Sequence, residues 1–243
     1  MLNTFGGTWW SAKPDGSVDR AMVDRPEFRA ALEFYVRLVR DAGETHAERA
    51  SYNQCLALYR SGKVAMWYDA TVAAGALEAV DSDVKGKNGY AAAPVARTEA
   101  SGWLWSWALA IESSSKHKDA AWTYISWATS KQYIQYAGKQ LGWASVPPGS
   151  RYSTYSNPSY QKAAAAFATP TLNEINGVNV SHPGVSPQPY VGVQYVGIPE
   201  FEDLGTRVSQ EITAAIAGQE TVAQALSKAQ SYAVPVGQAH KSG

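Results

Sequence analysis

Apolar residues recur along this chain at two spacings, and each spacing predicts its own kind of element. Between Asp24 and Gly43, the residues Phe28, Ala31, Leu32, Tyr35, Leu38 and Val39 share one stripe of a 3.6-residue period. This predicts an amphipathic helix lying on something larger. Asp24 and Glu27 resemble a capping box, Pro26 suits the first turn and Gly43 supplies the stop. Ser51 to Gly62 repeats the pattern, with Ser51 and Gln54 at its start. The short run Val64-Ala65-Met66-Trp67-Tyr68 reads as a buried strand ending at Asp69, and the Ala-rich stretch from Ala70 to Val80 reads as a helix. Helix, strand, helix in succession points to a parallel sheet with helical crossovers.

Further on, Gly89 to Val95 is a second expected strand. Trp103 to Ile111 alternates with a period of two, placing Trp103, Trp105, Trp107, Leu109 and Ile111 on one face and mostly small residues on the other. Lys118 to Thr129 and Ser130 to Gln140 form two tandem helical patterns, in which Trp122 and Trp127 are expected to be core. Trp143 to Arg151 contains Pro-Pro-Gly and must be loop. Asn157-Pro158 starts a helix, and Gly177 to Pro189 is a long surface connection. Glu200–Ala217, closed by Gly218, and Thr221–Ala233, opened by a Thr221/Gln224 box, are the last two helices.

Composition narrows the function. The 243 residues carry 21 Lys+Arg and 21 Asp+Glu, a formal charge of zero, which argues against nucleic acid as a partner. No apolar run approaches the ~20 residues that cross a bilayer, so no direct membrane insertion is expected of this chain. Met1 to Gly7 has neither the basic nor the apolar region of an export signal. A single cysteine, Cys55, excludes an internal disulfide, and it reads as a small core residue. The histidines are far apart, so neither a metal site nor a cofactor is expected. Nothing resembles a nucleophile elbow, a phosphate loop or a dinucleotide fingerprint; Gly192 to Gly197 has two glycines but no helix pattern after it.

The excess lies in the aromatics, with nine Trp and fourteen Tyr. Indole offers the largest apolar face with one N–H donor. Sugars and polyols present C–H faces that stack on such rings, and hydroxyls that need Asp, Asn, Gln or Arg. Trp103 and Trp105 on one strand face, Trp143 in a Pro/Gly loop, and Asp69, Arg151 and Gln194 would together supply that chemistry. Core packing remains open for each Trp, and an N-cap role remains open for Asp69. The alternative from another class is a carbohydrate-active hydrolase using Asp69 with Glu112 or Glu200, although no motif positions those carboxylates.

Four ordered segments carry a family resemblance. Ser51 to Met66, with its Tyr59-Arg60-Ser61-Gly62-Lys63-Val64-Ala65-Met66 ending, resembles extracellular solute-binding proteins (family 1) of carbohydrate ABC transporters. Asp24 to Leu38, Ala110 to Trp122 and Gly218 to Ala229 are similar to further segments of that family. Within it, Met66 to Gly75, Trp103 to Ile111, Gly142 to Arg151 and Pro189 to Phe201 are most like the sorbitol/mannitol (polyol) binders. The resemblance implies an α/β fold of the type II periplasmic-binding-protein kind, with two lobes closing on a polyol or small sugar. It implies a non-enzymatic receptor, periplasmic or lipid-anchored outside the cell, that delivers its ligand to ABC transporter permease subunits. By the same analogy, the end of the strand at Asp69 and the Trp103/Trp105 strand face the cleft, and the Trp143–Arg151 loop lies near the hinge. Family members are longer, so 1–107 and 152–243 are expected to form the second lobe. Residues 108–151 are then a piece of an otherwise missing first lobe, and this chain alone is expected to bind polyol weakly or not at all.

Overall fold

The computed structural model describes residues 1–147, 149 and 151–240. Its helices are α1 Pro26–Ala42, α2 Tyr52–Arg60, α3 Ala73–Leu77, α4 Lys118–Ala128, α5 Lys131–Leu141, α6 Tyr152–Tyr155, α7 Pro158–Ala163, α8 Ala168–Gly177, α9 Phe201–Ile216 and α10 Val222–Ala239. Strands β1 Trp10–Ala12 and β2 Val18–Ala21 form an antiparallel pair, with Trp10 opposite Ala21. The chain divides into two compact units. Unit 1 comprises Met1–Ala50, Ala93–Leu104 and Gly177–Gly243, and unit 2 comprises Ser51–Ala92 and Trp105–Asn176.

The caps read from the sequence hold these helices where expected. Gln54 Oε1 accepts the Ser51 N–H at 2.7 Å ahead of α2. Thr221 Oγ1 accepts the Gln224 N–H at 3.2 Å ahead of α10, and Gln224 returns the bond to the Thr221 N–H at 2.9 Å. Asn157 Oδ1 accepts from Ser159 and Tyr160, with Pro158 in the first turn of α7. Each such cap satisfies backbone N–H groups that the helix itself leaves bare. At α1 the N-cap is Arg25 rather than Asp24, and Gly43 closes the helix in an extended conformation.

Unit 1 is built around the α9–α10 hairpin. Leu204 and Val208 of α9 and Leu226, Ala229 and Ala233 of α10 pack with Phe28, Leu32 and Val36 of α1 and with Trp10, Val18 and Ala21 of the strand pair. Burying each large side chain of this group stabilises the unit by about 1.5–3 kcal/mol. One side chain ends the strand pair. Gln230 of α10 accepts the N–H groups of Val23 and Asp24 and donates to the Ala21 carbonyl at 3.1 Å, in place of a further strand. The Trp10 indole N–H reaches the Ala233 carbonyl at 3.0 Å. Helix α10 runs on through Pro235 to Ala239, beyond the expected end at Ala233. An interior proline costs a helix about 3 kcal/mol, and packing against Trp10 offsets it. A Cβ on Gly237 would stand 2.4 Å from the indole nitrogen.

Unit 2 has a smaller core of Ala74, Val146, Tyr155, Tyr160, Ala164, Phe167 and Ala168. Here the structure departs from the sequence reading. The segments 64–68, 89–95 and 103–111 take part in no ladder among the described residues. A strand exists through its neighbour about 4.8 Å away, and among the described residues no second segment pairs with them by a backbone ladder. The helix expected from Ala70 to Val80 is only α3, because Ala70 to Val72 form turns before it. Trp122 and Trp127 of α4, expected in the core, are 64% and 47% exposed, and the only rings that Trp127 meets among the described residues are those of Tyr133 and Tyr136 of α5. In the Trp143–Arg151 loop, Trp143–Ser145 is a single 3-10 turn. Pro148 and Ser150 of that loop lie outside the described residues.

Candidate functional site

A cleft of about 870 Å³ opens in unit 1. Its floor is apolar, from Trp9, Phe28 and Phe201, and Thr206, Ser209 and Gln210 of α9 give it a polar wall. Two residues singled out from sequence meet here, Trp103 and Gln194. The Gln194 amide nitrogen donates to the Leu104 carbonyl at 2.9 Å, fixing the segment that carries Trp103. That bond uses one amide proton and leaves the amide oxygen as an acceptor in the cleft that Trp103 also lines. An aromatic face with amide and hydroxyl groups next to it can hold a neutral, many-hydroxyl ligand, whose C–H face stacks while its O–H groups bond.

The other four sequence-predicted residues lie in unit 2, and no hydrogen bond or ring contact joins them among the described residues. Asp69 is exposed, and its Oδ1 accepts the adjacent Ala70 N–H at 2.7 Å; α3 begins later, with Val72 as its N-cap. Asp69 also faces Tyr68 and Tyr52. Both phenols are pushed up, first by burial and then by neighbouring carboxylates, Glu174 and Asp69 for Tyr68 and Asp69 for Tyr52. Trp105 is 60% exposed and tilts against Trp107 with ring centroids 4.8 Å apart. Trp143 packs on the core of unit 2 over Gly138, where a Cβ would stand 2.6 Å from the ring. The loop folds back, so packing accounts for this Trp. Arg151 donates from Nε and Nη2 to the Thr129 carbonyl at 3.0 and 2.6 Å, closing the end of α4. It borders an open concavity of about 500 Å³ together with Lys131 and Gln135.

No hydrogen bond links the carboxylates of the hydrolase alternative among the described residues. Glu112 is exposed in unit 2. Glu200 Oε2 lies 3.0 Å from His240 Nε2, and that hydrogen bond holds its carboxyl below the usual range. A glycosidase acid needs the opposite shift. Among the described residues, no group of three or more His, Cys, Asp or Glu could hold a metal ion, and no helix is long and apolar enough to cross a membrane. The sequence reading missed Tyr195, which lines the cleft beside Gln194. Its available signal was the pair Gly192 and Gly197, which bracket an apolar run too short for a buried strand of ordinary length.

Comparison with known proteins extends this picture. The chain is 41% identical over 236 residues to the mannitol-binding protein of Pseudomonas aeruginosa, covering 95% of this chain and 52% of that one. It superposes on the crystal structure of an ABC transporter solute-binding protein from Agrobacterium vitis S4, with bound D-mannitol, at a TM-score of 0.87 and 44% identity. That match covers 96% of this chain and 55% of the other. Maltose-bound MalE3 of Thermotoga maritima shares the fold at a TM-score of 0.76 and 20% identity, over 96% of this chain and 55% of that one. The chain therefore spans about half the length of the relatives it matches. Its fold is that of the type II periplasmic solute-binding proteins, as the α/β expectation held. Nothing in the comparisons supports the hydrolase. Residues 1–135 match the family described as bacterial extracellular solute-binding protein, and with the relative from Pseudomonas aeruginosa this shows that the chain belongs to that family.

Proposed function

We propose that this chain serves in the substrate-binding component of an ABC transporter, capturing a sugar alcohol of the mannitol or sorbitol kind, or a small sugar, for import. The observation that carries the reading is the meeting of Trp103 and Gln194 in one cleft, in a chain 41–44% identical to a mannitol-binding protein and to a solute-binding protein holding D-mannitol. Zero net charge suits a neutral ligand. The function involves no chemistry: the protein holds its ligand and presents it to permease subunits, from the periplasm or from a lipid anchor outside the cell. Asp69, Trp105 and Arg151 are further candidates within this proposal, whereas Trp143, read as one from sequence, is already accounted for by its packing on the core of unit 2.

The lobe assignment is part of the same reading. Residues 1–107 and 152–243 belong to the second lobe, and 108–151 to the first lobe and hinge. The bare faces of 105–109 and α4 support it, since Trp107 and Trp122 are 84% and 64% exposed and apolar surface of that kind marks a place where other polypeptide packs. Each lobe supplies part of the ligand contacts, so this chain binds weakly. Calorimetry with mannitol and sorbitol should detect no micromolar binding. Saturation-transfer NMR at tens of millimolar polyol should show contact, which Trp103→Ala abolishes. Micromolar affinity would overturn the assignment of shared contacts, and absence of any transfer would overturn the polyol reading.

A further inference from the structure

The loop from Gln188 to Gly197 is tied far more closely than a surface connection requires. The Gln188 side-chain amide donates to the carbonyls of Tyr190 and Gly192 at 3.0 and 3.1 Å. The Gly192 N–H bonds the Val180 carbonyl at 2.9 Å, and the Gly197 N–H bonds that of Val191 at 3.2 Å. Val196 is buried in the unit 1 core and anchors the far side. Asn3 Nδ2 holds the Val193 carbonyl at 3.3 Å, and Gln194 holds Leu104. At the crown, Gly192 adopts φ +136°, and a Cβ there would lie 1.8 Å from the Tyr195 carbonyl oxygen. Only glycine fits that approach.

What this framework displays is Tyr195. Its ring meets Phe201 nearly at right angles, with centroids 5.0 Å apart, while Phe201 is buried and Tyr195 is 49% exposed. Its hydroxyl has no hydrogen-bond partner among the described residues. A half-exposed ring with an unengaged hydroxyl, braced from behind and lining the same cleft as Trp103 and Gln194, is not accounted for by core packing. We propose that Tyr195 is a ligand-contacting aromatic of the cleft, and that Gly192 is the positioning residue that keeps it there. This deepens the polyol reading and rests on it. The ring takes a C–H face of the ligand, the hydroxyl donates to or accepts from a ligand hydroxyl, and the Gln194 amide oxygen accepts from the next. A loop tied at so many points has little ordering entropy left to lose on binding.

The test uses the full chain with D-mannitol as probe, read by saturation-transfer NMR titration. Tyr195→Leu keeps apolar contact with Phe201 but removes the ring, and Tyr195→Ala removes both; each should weaken binding about tenfold, the effect of roughly 1.4 kcal/mol. Tyr195→Phe keeps the ring and should lose only about two- to threefold, a split that a purely structural role would not produce. Gly192→Ala should weaken binding in the same direction, with amide shifts confined to the loop. Tyr124→Ala, on the exposed face of α4, should bind as the unaltered chain does. Transfer undiminished in both Tyr195→Leu and Tyr195→Ala overturns this inference alone. Absence of transfer in the unaltered chain overturns the polyol reading and the inference together.

Discussion

Tyr160 of α7 is fully buried, yet its hydroxyl has no hydrogen-bond partner among the described residues. Burial pushes the phenol up to about 12, so it stays neutral and gains nothing from ionisation. An unsatisfied buried hydroxyl costs about 1–3 kcal/mol of desolvation. Tyr160→Phe should therefore leave the thermal midpoint unchanged or raise it, and a loss above about 1 kcal/mol would show that the hydroxyl has a partner after all. Sequence reasoning could not see this, because Asn157-Pro158-Ser159-Tyr160 announces the helix start without saying what its aromatic will face. The same limit governs Trp143. Its Pro/Gly surroundings were legible, but its seat over Gly138 depends on a loop that folds back. Trp103 and Gln194 stood out in the sequence and both line the unit 1 cleft, whereas Tyr195, which lines it too, was hidden among valines.

At the scale of elements, local signals were readable and distant pairings were not. Ser51/Gln54, Thr221/Gln224 and Asn157/Pro158 each act within four residues, and each cap stands where its sequence put it. The alternation from Trp103 to Ile111 shows two faces but not the neighbour that would make a ladder. The segment after α3 illustrates a tie that spacing does not advertise. The Glu78 carboxylate accepts the Gly86 N–H at 2.9 Å, Asn88 Nδ2 at 2.7 Å and the Tyr90 hydroxyl at 2.9 Å. Burial raises this carboxyl, but the bonds from Asn88, Gly86 and Tyr90 outweigh it and hold it below its ordinary value. A depressed carboxylate contributes stability above its unfolded pKa of about 4.3, and the contribution is lost as pH falls through the lowered value. Exchange protection of the Gly86 amide should persist at neutral pH and be lost only in acid, as pH falls through the lowered carboxyl value. Protection unchanged in acid, or unchanged in Glu78→Gln at neutral pH, would remove the carboxylate from that role.

Across the whole chain, the tryptophans fall into environments that the sequence had partly reversed. Trp122 and Trp127, read as core from their helical spacing, are exposed, while Trp143, read as a loop residue, packs inward. Periodicity reports which residues share a face, and what covers that face is decided elsewhere. Acrylamide should therefore quench a readily accessible fraction of the emission, from Trp105, Trp107, Trp122 and Trp127. A blue, protected remainder should shrink in Trp10→Phe, since Trp10 is 2% exposed. Uniformly poor quenching would show that this apolar surface is covered in solution. The family, in contrast, was legible because four segments resemble it in order, and order along 243 residues survives the loss of any one contact.

The bond from the Trp10 indole to the Ala233 carbonyl spans 223 residues of chain. During synthesis at about 5–20 residues per second, the hairpin bearing Trp10, Val18 and Ala21 leaves the ribosome roughly 11–45 s before the helix that covers it. For that interval the hairpin has only α1 and, later, α9 to pack against, and its contacts with α10 form last.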